Sequence, residues 1–411
     1  MIQWITGQLG TSAWDSAHTL SGFHLVDVRE LVDKRGNAID SIRAKISEAV
    51  DHLRNGEKVV ICCDYGISRS NSIAAGALAV YEGIGMDEAI RRVLAATGEN
   101  SIKLDVLGAV RQAVESSDQR KNESHSILVT GASGFIGSSI VKKLHEQGQL
   151  VLAPSRDEID LSKDALKLDI LMKQRHVTKI VHFASPRIYT TNEALGLMLL
   201  MLKNVLDVCI QNESKFFYLS SWEIYSGYKA QRLLADETLL ARPGGTYGQA
   251  KFLSEMLIRH FIQFYGMECT ILRSGPVYGV QSDRPRFIWN FLSKARNDKE
   301  IVTHQYLNGF PVLDLLHIDD LQAAILDALK NGSVGEFNIG NGTGISTAEV
   351  ARLLVEKTGS HSNIRHQQIE DYTSNIVMDY ARANRVLGWR PAISISQGLD
   401  QLIQAEHSET R

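Results

Sequence analysis

The chain has 411 residues, of which 44% are hydrophobic and 22% are charged, and its formal net charge is -3. This length predicts two or three domains with well-filled cores. The near-neutral charge and the lack of a basic stripe argue against nucleic-acid binding, and no apolar run is long enough to predict a membrane span. The four cysteines show no disulfide or metal-ligand spacing and the first residues lack a signal-peptide pattern, so we expect a cytoplasmic protein.

The first part of the chain, residues 1–115, is predicted to be a small α/β domain. Strands are expected at 23–28 and 57–62, and helices at 42–53 and 70–82. The second strand runs directly into Cys63. Residues 116–126 contain no aliphatic or aromatic side chain, which is typical of a solvated linker.

From residue 127 the pattern changes to apolar strands that alternate with longer helices. Strands are expected at 127–129, 150–153, 179–183, 215–219 and 268–272. This alternation predicts a doubly wound parallel sheet of the Rossmann type, covered by helices on both faces. After Arg273 the alternation loosens, so we expect a smaller substrate-binding region up to residue 411.

The segment from Cys63 to Ser70 joins a strand to a helix and has the residues of a thiolate phosphatase. A tight turn at Gly66 lets backbone N–H groups and the helix N-terminus converge on a phosphate dianion. The same field stabilises a thiolate at Cys63. Arg69 can clamp two phosphate oxygens, and the Ser70 hydroxyl can assist departure of the thiolate.

This part of the chain resembles the dual-specificity branch of the protein tyrosine phosphatases over most of residues 1–115. The resemblance implies hydrolysis through a phosphocysteine, with Asp33 as general acid and Asp40 and Asp27 as weaker candidates. The short domain favours a small phosphorylated metabolite as substrate. The family usually has His before the nucleophile, and because Cys62 stands there we expect weaker loop orientation or a raised pKa of Cys63.

A glycine-rich turn follows the strand at 127–129 and opens a helix at 138–147. Its glycines allow a tight turn, close approach of a pyrophosphate and close helix–strand packing. The turn is predicted to hold a dinucleotide through Gly131, Ser133, Gly134, Phe135, Ile136 and Gly137.

The ends of the next strands predict how the rest of the cofactor is bound. Ser155 and Arg156 stand where an NAD site would place an acidic side chain, and they suit a 2′-phosphate, so NADP(H) is favoured over NAD(H). The alternative is that Arg156 points to solvent beside Asp157 and Glu158. The adenine is expected beside Asp160 and Leu161, and the nicotinamide beside Phe183, Ala184 and Ser185.

Tyr247 and Lys251 are four residues apart and share one face of a predicted helix. The Lys251 ammonium is expected to lower the pKa of the phenol and to bind the nicotinamide ribose. Tyr247 then exchanges a proton with a carbonyl or hydroxyl while hydride moves. Ser221, at a strand end, steadies the same oxygen.

This second part resembles the extended short-chain dehydrogenase/reductases, the epimerase/dehydratase family, which acts mainly on nucleotide sugars. The resemblance runs from Ser126 to about Ala405 and includes the segments 272–279, 316–321, 336–340 and 387–391. It implies a Ser221, Tyr247 and Lys251 triad and an association into dimers. Family members often bind a pyrophosphate with an arginine where this chain has Leu313. Arg284 and Arg286 either substitute for it or belong to a solvated loop, so a smaller sugar or a sugar phosphate is the alternative substrate.

Together these patterns predict a bifunctional enzyme: an NADP(H)-dependent reductase, epimerase or dehydratase of a sugar or nucleotide sugar, joined to a cysteine phosphatase in glycan-precursor synthesis. Two alternatives remain open. One is a redox sensor whose first domain docks a phosphorylated partner, and the other is a protein phosphatase with a regulatory dehydrogenase module. Neither nucleic acid nor a membrane is expected as a partner, and no metal is expected, because His176, His182, His304 and His317 lack ligand spacing.

Overall fold

The computed structural model describes residues 2–34, 36–99, 102–114, 126–186, 191–229, 232–282 and 285–409. The chain divides into two compact units. The first contains Met1–His125, Lys163–His176 and Ile210–Asn212, and the second contains Ser126–Ser162, Val177–Cys209 and Glu213–Arg411. The expected linker lies outside the described residues as far as 125, and Ser126 already belongs to a strand.

The first 114 residues form four strands and five helices. The strands are β1 (Gln3–Trp4), β2 (Leu9–Ala13), β3 (His24–Asp27) and β4 (Val59–Cys63). The helices are α1 (Trp14–Ala17), α2 (Ile39–Arg54), α3 (Arg69–Glu82), α4 (Met86–Thr97) and α5 (Leu104–Val114). The sheet order is β1-β2-β4-β3, with β1 antiparallel to β2 and the other pairs parallel.

Strand β4 and helix α3 are central to this unit. All five residues of β4 are buried, which explains its uninterrupted apolar sequence. Helix α3 packs against α2, α4 and α5, and its residues 69–79 are all buried. A helix that is buried on every side needs small or apolar side chains all round, and residues 73–79 of α3 have them. The turn from Cys63 to Arg69 is therefore held by two rigid elements.

From Ser126 to Ser274 the chain alternates strands with helices. The strands are β5 (Ser126–Thr130), β6 (Leu150–Leu152), β7 (Val177–His182), β8 (Lys215–Ser221), β9 (Leu233–Ala235) and β10 (Cys269–Ser274). The helices are α6 (Phe135–Glu146), α7 (Ala165–Gln174), α8 (Asn192–Gln211) and α9 (Thr246–Tyr265). A short 3-10 turn, Trp222–Tyr225, follows β8.

The remaining chain has shorter strands. They are β11 (Val277–Tyr278), β12 (Ile301–Tyr306), β13 (Val312–Leu313), β14 (Leu316–His317), β15 (Gly335–Ile339), β16 (Ile345–Ser346), β17 (Ile364–Ile369) and β18 (Ile376–Met378). The helices are α10 (Arg286–Arg296), α11 (Ile318–Asn331), α12 (Thr347–Thr358), α13 (Ala381–Leu387) and α14 (Ile395–Glu409). Within the described part of the chain, no helix has both the length and the apolar character needed to cross a membrane.

The main sheet of the second unit has six parallel strands in the order β15-β10-β8-β7-β5-β6. The predicted doubly wound parallel sheet is confirmed, and its first five strands lie within two residues of their expected positions. The sixth, β15, was not expected, because it follows the region where the alternation loosens. The strand order reverses between β5 and β7, and this crevice is where such sheets bind ligands.

A buried ion pair links helix α9 to the sheet. The Arg273 guanidinium on β10 donates to both carboxylate oxygens of Glu255 on α9, from Nε at 3.0 Å and from Nη2 at 2.7 Å. The Ser220 hydroxyl on β8 donates to the same carboxylate at 2.6 Å. Because both charged side chains are almost fully buried, this pairing fixes the position of α9 on two neighbouring strands.

Candidate active sites

The glycine-rich turn of the second unit lies at the carboxyl end of β5. Gly131 has φ of +71°, and a Cβ there would lie 2.6 Å from the Ala184 nitrogen after β7. A Cβ on Gly137 would overlap the Gly131 carbonyl oxygen. Only glycine fits at these two positions. The turn delivers the chain to Gly134, the N-cap of α6, so the positive end of this helix faces the crevice.

A cavity of about 950 Å³ opens at this turn. It joins the predicted cofactor turn to the predicted catalytic side chains, which come from different strands and helices. Its walls include Gly131, Gly134, Phe135, Ile136, Gly137, Phe183, Ser185, Ser221, Tyr247 and Lys251. The close backbone turn, the helix N-terminus and the size of the cavity fit a dinucleotide.

The catalytic candidates are held by α9 and by the end of β8. The Lys251 ammonium donates to the Leu219 carbonyl at 2.7 Å and lies 5.6 Å from the centre of the Tyr247 ring. The Ser221 hydroxyl accepts from the Glu223 backbone N–H at 3.2 Å. A Cβ on Gly248 would lie 2.5 Å from the Glu223 carbonyl oxygen, so this glycine lets α9 press against the turn after β8.

The electrostatics differ from the sequence expectation at Tyr247. Burial raises the pKa of the Tyr247 phenol, and the Glu223 carboxylate raises it further. Burial also lowers the pKa of Lys251 to about 8, against the opposing pull of Glu255 and Glu223. The expected lowering of the phenol pKa by Lys251 is therefore wrong for the protein by itself, because burial and the Glu223 carboxylate both raise that pKa.

Glu223 is a cavity residue that sequence reasoning missed. Its carboxylate lies on the cavity wall, and burial raises its pKa while Lys251 opposes the rise. The sequence feature that could have identified Glu223 is its position two residues after Ser221, just beyond the end of a strand. A buried carboxyl with a raised pKa can accept or return a proton near neutral pH.

Several predicted cofactor contacts are not part of the cavity wall among the described residues. These are Ser133, Ser155, Arg156, Asp160, Leu161 and Ala184. The Arg156 guanidinium is 74% exposed and pairs with Asp160 at 3.5 Å, and the Ser155 backbone N–H donates to Glu158. Of the proposed pyrophosphate ligands, Arg284 lies outside the described residues, whereas Arg286 begins α10 and lines the cavity beside Leu313.

The first unit brings Cys63, Gly66 and Ser70 together. The Cys63 Sγ lies 3.4 Å from the Ser70 Oγ and accepts from the Gly66 backbone N–H at 3.2 Å. Gly66 has φ of +71°, and a Cβ there would lie 2.5 Å from the Ala13 nitrogen. Burial raises the pKa of Cys63, but hydrogen bonds from Ser70, Gly66 and Tyr65 outweigh burial and leave that pKa below its ordinary value.

Arg69 is the first residue of α3, and its side chain is only 9% exposed. Its Nη1 donates to the Arg29 and Leu31 carbonyls, at 3.1 and 2.9 Å, and its Nη2 donates to Asp64 at 2.5 Å. Within the described chain its Nε finds no hydrogen-bond acceptor and lies 3.6 Å from Asp33. The buried guanidinium thus keeps one donor that an anion can take.

The expectation drawn from Cys62 is corrected in one respect: the pKa of Cys63 is lowered, not raised. Successive residues of a strand face opposite sides of the sheet. Cys62 packs with Ala17 and Val60 in a separate apolar cluster, and burial raises its own pKa to about 12.

The fold and the cavity of the second unit define a dinucleotide-binding enzyme of the Rossmann type. The family model for the NAD dependent epimerase/dehydratase family matches residues 127–340. Because this match covers more than half of the 411 residues, the chain belongs to that family.

Two curated relatives illustrate the similarity. The low-salt glycan biosynthesis protein Agl12 of Haloferax volcanii is 24% identical over 313 residues, which are 67% of this chain and 97% of the relative. The putative UDP-glucose 4-epimerase of Methanocaldococcus jannaschii is 28% identical over 304 residues, again 67% of this chain and 97% of the relative.

Solved structures share the fold. The UDP-glucose 4-epimerase of Thermotoga maritima, solved with UDP-glucose, has a TM-score of 0.62 at 25% identity and covers 70% of this chain and 100% of its own. The Thermus thermophilus UDP-glucose 4-epimerase in complex with NAD has a TM-score of 0.61 at 22% identity, and the match covers 69% of this chain and 99% of its own. RMD of Pseudomonas aeruginosa in complex with NADPH has a TM-score of 0.61 at 20% identity, and the match covers 70% of this chain and 99% of its own. Because their sequence identity to this chain is low, the Thermus and Pseudomonas structures show similarity of fold only.

The lowered pKa of Lys251 makes stability depend on pH. Between about 8 and the ordinary value of 10.5, the unfolded chain holds a proton on this lysine that the folded chain does not, so stability rises with pH. The wild type should therefore gain up to about 3 kcal/mol in free energy of unfolding relative to Lys251→Met over this range. Urea unfolding at several pH values measures the difference.

Lys142→Met is the control, because this lysine is exposed on α6. The difference in free energy of unfolding between Lys142→Met and the wild type should not change with pH. If the difference between Lys251→Met and the wild type also stayed constant with pH, the lowered pKa of Lys251 would be contradicted.

Proposed function

We propose that this chain is an NADP(H)-dependent enzyme that oxidises, reduces, epimerises or dehydrates a nucleotide sugar, and that its first unit is a cysteine phosphatase. The observation that carries the first activity is the cavity, which places Ser221, Tyr247 and Lys251 on the same walls as the glycine-rich turn. When bound, the dinucleotide supplies a hydride acceptor and donor.

The protein side chains supply the proton chemistry. Tyr247 takes the proton of a substrate hydroxyl or returns one to a carbonyl, and the Ser221 hydroxyl binds the same oxygen. Lys251 is held in the cavity by its bond to the Leu219 carbonyl, where its ammonium favours the ionised form of the phenol. Glu223 offers a second acid–base group, which a dehydration needs for removing a proton from carbon.

A nucleotide sugar is the proposed substrate because the relatives and the Thermotoga structure are named for UDP-glucose or for glycan synthesis. Arg286 lies on the cavity wall and can pair with a diphosphate, whereas Leu313 offers no charge. Synthesis of a glycan precursor is the proposed setting, and Agl12 supports it by its name.

Removal of the Tyr247 hydroxyl should abolish most of the sugar chemistry. Tyr247→Phe is expected to lower kcat at least about 100-fold with little change in KM, since the lost group acts on a proton in the transition state. Turnover of UDP- and dTDP-hexoses, followed by nicotinamide absorbance and product chromatography, measures this. Tyr372→Phe is the control, because that side chain is exposed. Equal activity of Tyr247→Phe and wild type would refute the role.

In the same assay, Glu223→Gln distinguishes dehydration from epimerisation and reduction. Loss of dehydration with epimerisation or reduction intact would assign proton removal from carbon to Glu223.

Preference for NADP(H) is proposed from Arg156 and Ser155. Arg156 is exposed and pairs only loosely with Asp160, so its guanidinium can turn to a 2′-phosphate. Arg156→Ala should lower kcat/KM for NADP(H) about 10- to 100-fold, the value of one hydrogen bond to a charged group, and leave NAD(H) unchanged. Arg352→Ala, in an exposed pair with Glu356, is the control. Similar kcat/KM for both cofactors in the wild type would reject the preference.

A second activity, a thiolate phosphatase, is favoured by the Cys63 turn. The thiol has a lowered pKa, the Ser70 hydroxyl lies beside it, and the buried Arg69 presents a free Nε. Asp33 lies 3.6 Å from that Nε, where a general acid can protonate a leaving oxygen. We propose a phosphorylated small molecule related to the sugar pathway as substrate. The reducing cytoplasm suits the four free, buried cysteines.

Phosphate release from p-nitrophenyl phosphate, sugar phosphates and a phosphotyrosine peptide tests this activity. Cys63→Ser should reduce release to background, and Asp33→Asn should reduce it about 100-fold or more. Cys62→Ala is the matched control, because its side chain packs on the other face of β4. Peptide hydrolysis far above that of the sugar phosphates would favour a protein phosphatase. Phosphate binding without any release would leave a docking module.

A further inference from the structure

Two histidines and two glutamates meet at the amino end of the sheet in the first unit. His24 is the first residue of β3, and Glu57 lies in the turn that precedes β4. Glu48 and His52 are four residues apart on α2, so they share one face of this helix. Three structural elements thus contribute side chains to one cluster, and none of them takes part in the chemistry of Cys63.

The side chains of this cluster are close and only half-buried. The imidazole rings of His24 and His52 stack with their centres 3.4 Å apart and their planes 11° apart. The His24 Nε2 lies 3.2 Å from a Glu48 carboxylate oxygen, and the His52 Nδ1 lies 2.8 Å from a Glu57 carboxylate oxygen. One ligand atom from each of His24, His52 and Glu57 lies within 4.8 Å of the others.

Stability alone is a weak reason for this arrangement. Pairs between half-exposed histidines and carboxylates contribute little to folding, because water competes for both partners. The side chains of His24, His52 and Glu57 remain 30%, 31% and 50% exposed, so an ion from solvent can reach them. The competing cation is Lys45, whose ammonium lies 3.4 Å from the second oxygen of Glu48 and can turn away to Glu30.

We propose that His24, His52, Glu57 and Glu48 form a binding site for a divalent transition-metal ion of the zinc class. Two imidazole nitrogens with two carboxylates suit zinc, whereas calcium and magnesium prefer oxygen ligands alone. Tetrahedral zinc needs ligand atoms about 3.3 Å apart, so the side chains close in by rotation about their own bonds.

The site is separate from the candidate phosphatase centre of the same unit. His24 pairs with Val59 at the start of β4, whereas Cys63 is the last residue of this strand. An ion there ties α2 to β3 and to the turn before β4. Its role is therefore structural, and it stabilises the folded unit in proportion to its binding.

The sequence did not predict this site, because its two histidines lie on different elements, His24 on β3 and His52 on α2, with no ligand spacing between them. Only the Glu48 and His52 pair shows ligand spacing, and one such pair is common on helix surfaces. The fold supplies the other two side chains by placing β3 and the turn before β4 beside α2.

Zinc binding to the full-length chain tests the proposal. All variants carry Cys63→Ser, which removes a thiolate that could also bind zinc. Titration with zinc sulfate, followed by calorimetry, should show one equivalent bound, and cobalt should give the visible absorption of a tetrahedral ion. His52→Gln should weaken binding more than about 100-fold, since loss of a residue that merely supports a ligand already costs about 10- to 100-fold.

Glu57→Gln keeps the size of the side chain and guards against a folding defect, and it should also lower the affinity. The matched control is His304→Asn, an exposed histidine of β12, which should bind zinc like the parent. The melting temperature should rise with zinc in the parent and in the control, but not in the two ligand variants. Failure to bind one equivalent, or equal affinity in His52→Gln and the parent, would overturn the site.

Discussion

The buried pair of Arg273 and Glu255 is the constraint on which the candidate site of the second unit depends. Helix α9 carries both Tyr247 and Lys251, and Glu255 lies one turn after Lys251 on the same helix. The guanidinium of Arg273 holds this carboxylate by two hydrogen bonds, and the Ser220 hydroxyl adds a third. Two charges buried this deeply are tolerated only when their hydrogen bonds are satisfied, so α9 has little freedom to rotate or slide.

This constraint also reaches the opposite wall of the cavity. Ser220 precedes Ser221 on β8, so the strand end that presents Ser221 is bonded to the same carboxylate. The Arg273 guanidinium also donates to the Tyr225 hydroxyl, at the end of the turn that carries Glu223. One ion pair therefore fixes the serine, the turn and the helix together, which is the preorganisation that proton transfer requires.

Both candidate sites use the same backbone device, although their chemistry differs. In each, a buried strand is followed within a few residues by a glycine with φ of +71°, Gly66 in one and Gly131 in the other, and then by a helix. The glycine turn was predictable from sequence in both cases, because no other residue fits such a close approach of two backbones. The side chains near the turn differ: Arg69 and the Cys63 thiol in the first unit, and Ser221, Tyr247 and Lys251 across the cavity in the second.

Side chains that depend on long-range contacts were less predictable. Glu223 and the two stacked histidines are ordinary polar residues in the sequence, and only folding shows what lies beside them. Strand β15 is short and follows a region of loose alternation, so its return to the main sheet needed the structure. The spacing of Tyr247 and Lys251 predicted that they share a helix, and both lie on α9 at the cavity wall, but the spacing did not predict their electrostatics.

The two nucleophile or base candidates show why burial must be weighed against hydrogen bonding. Burial raises the pKa of both Cys63 and Tyr247 by disfavouring the charged form. At Cys63, N–H groups of the turn and the Ser70 hydroxyl all point to the sulfur, and their sum exceeds the cost of burial. At Tyr247 the nearest ionisable carboxyl, Glu223, acts in the same direction as burial. The thiol is thus prepared for ionisation by the protein alone, whereas burial and Glu223 keep the phenol in its neutral form.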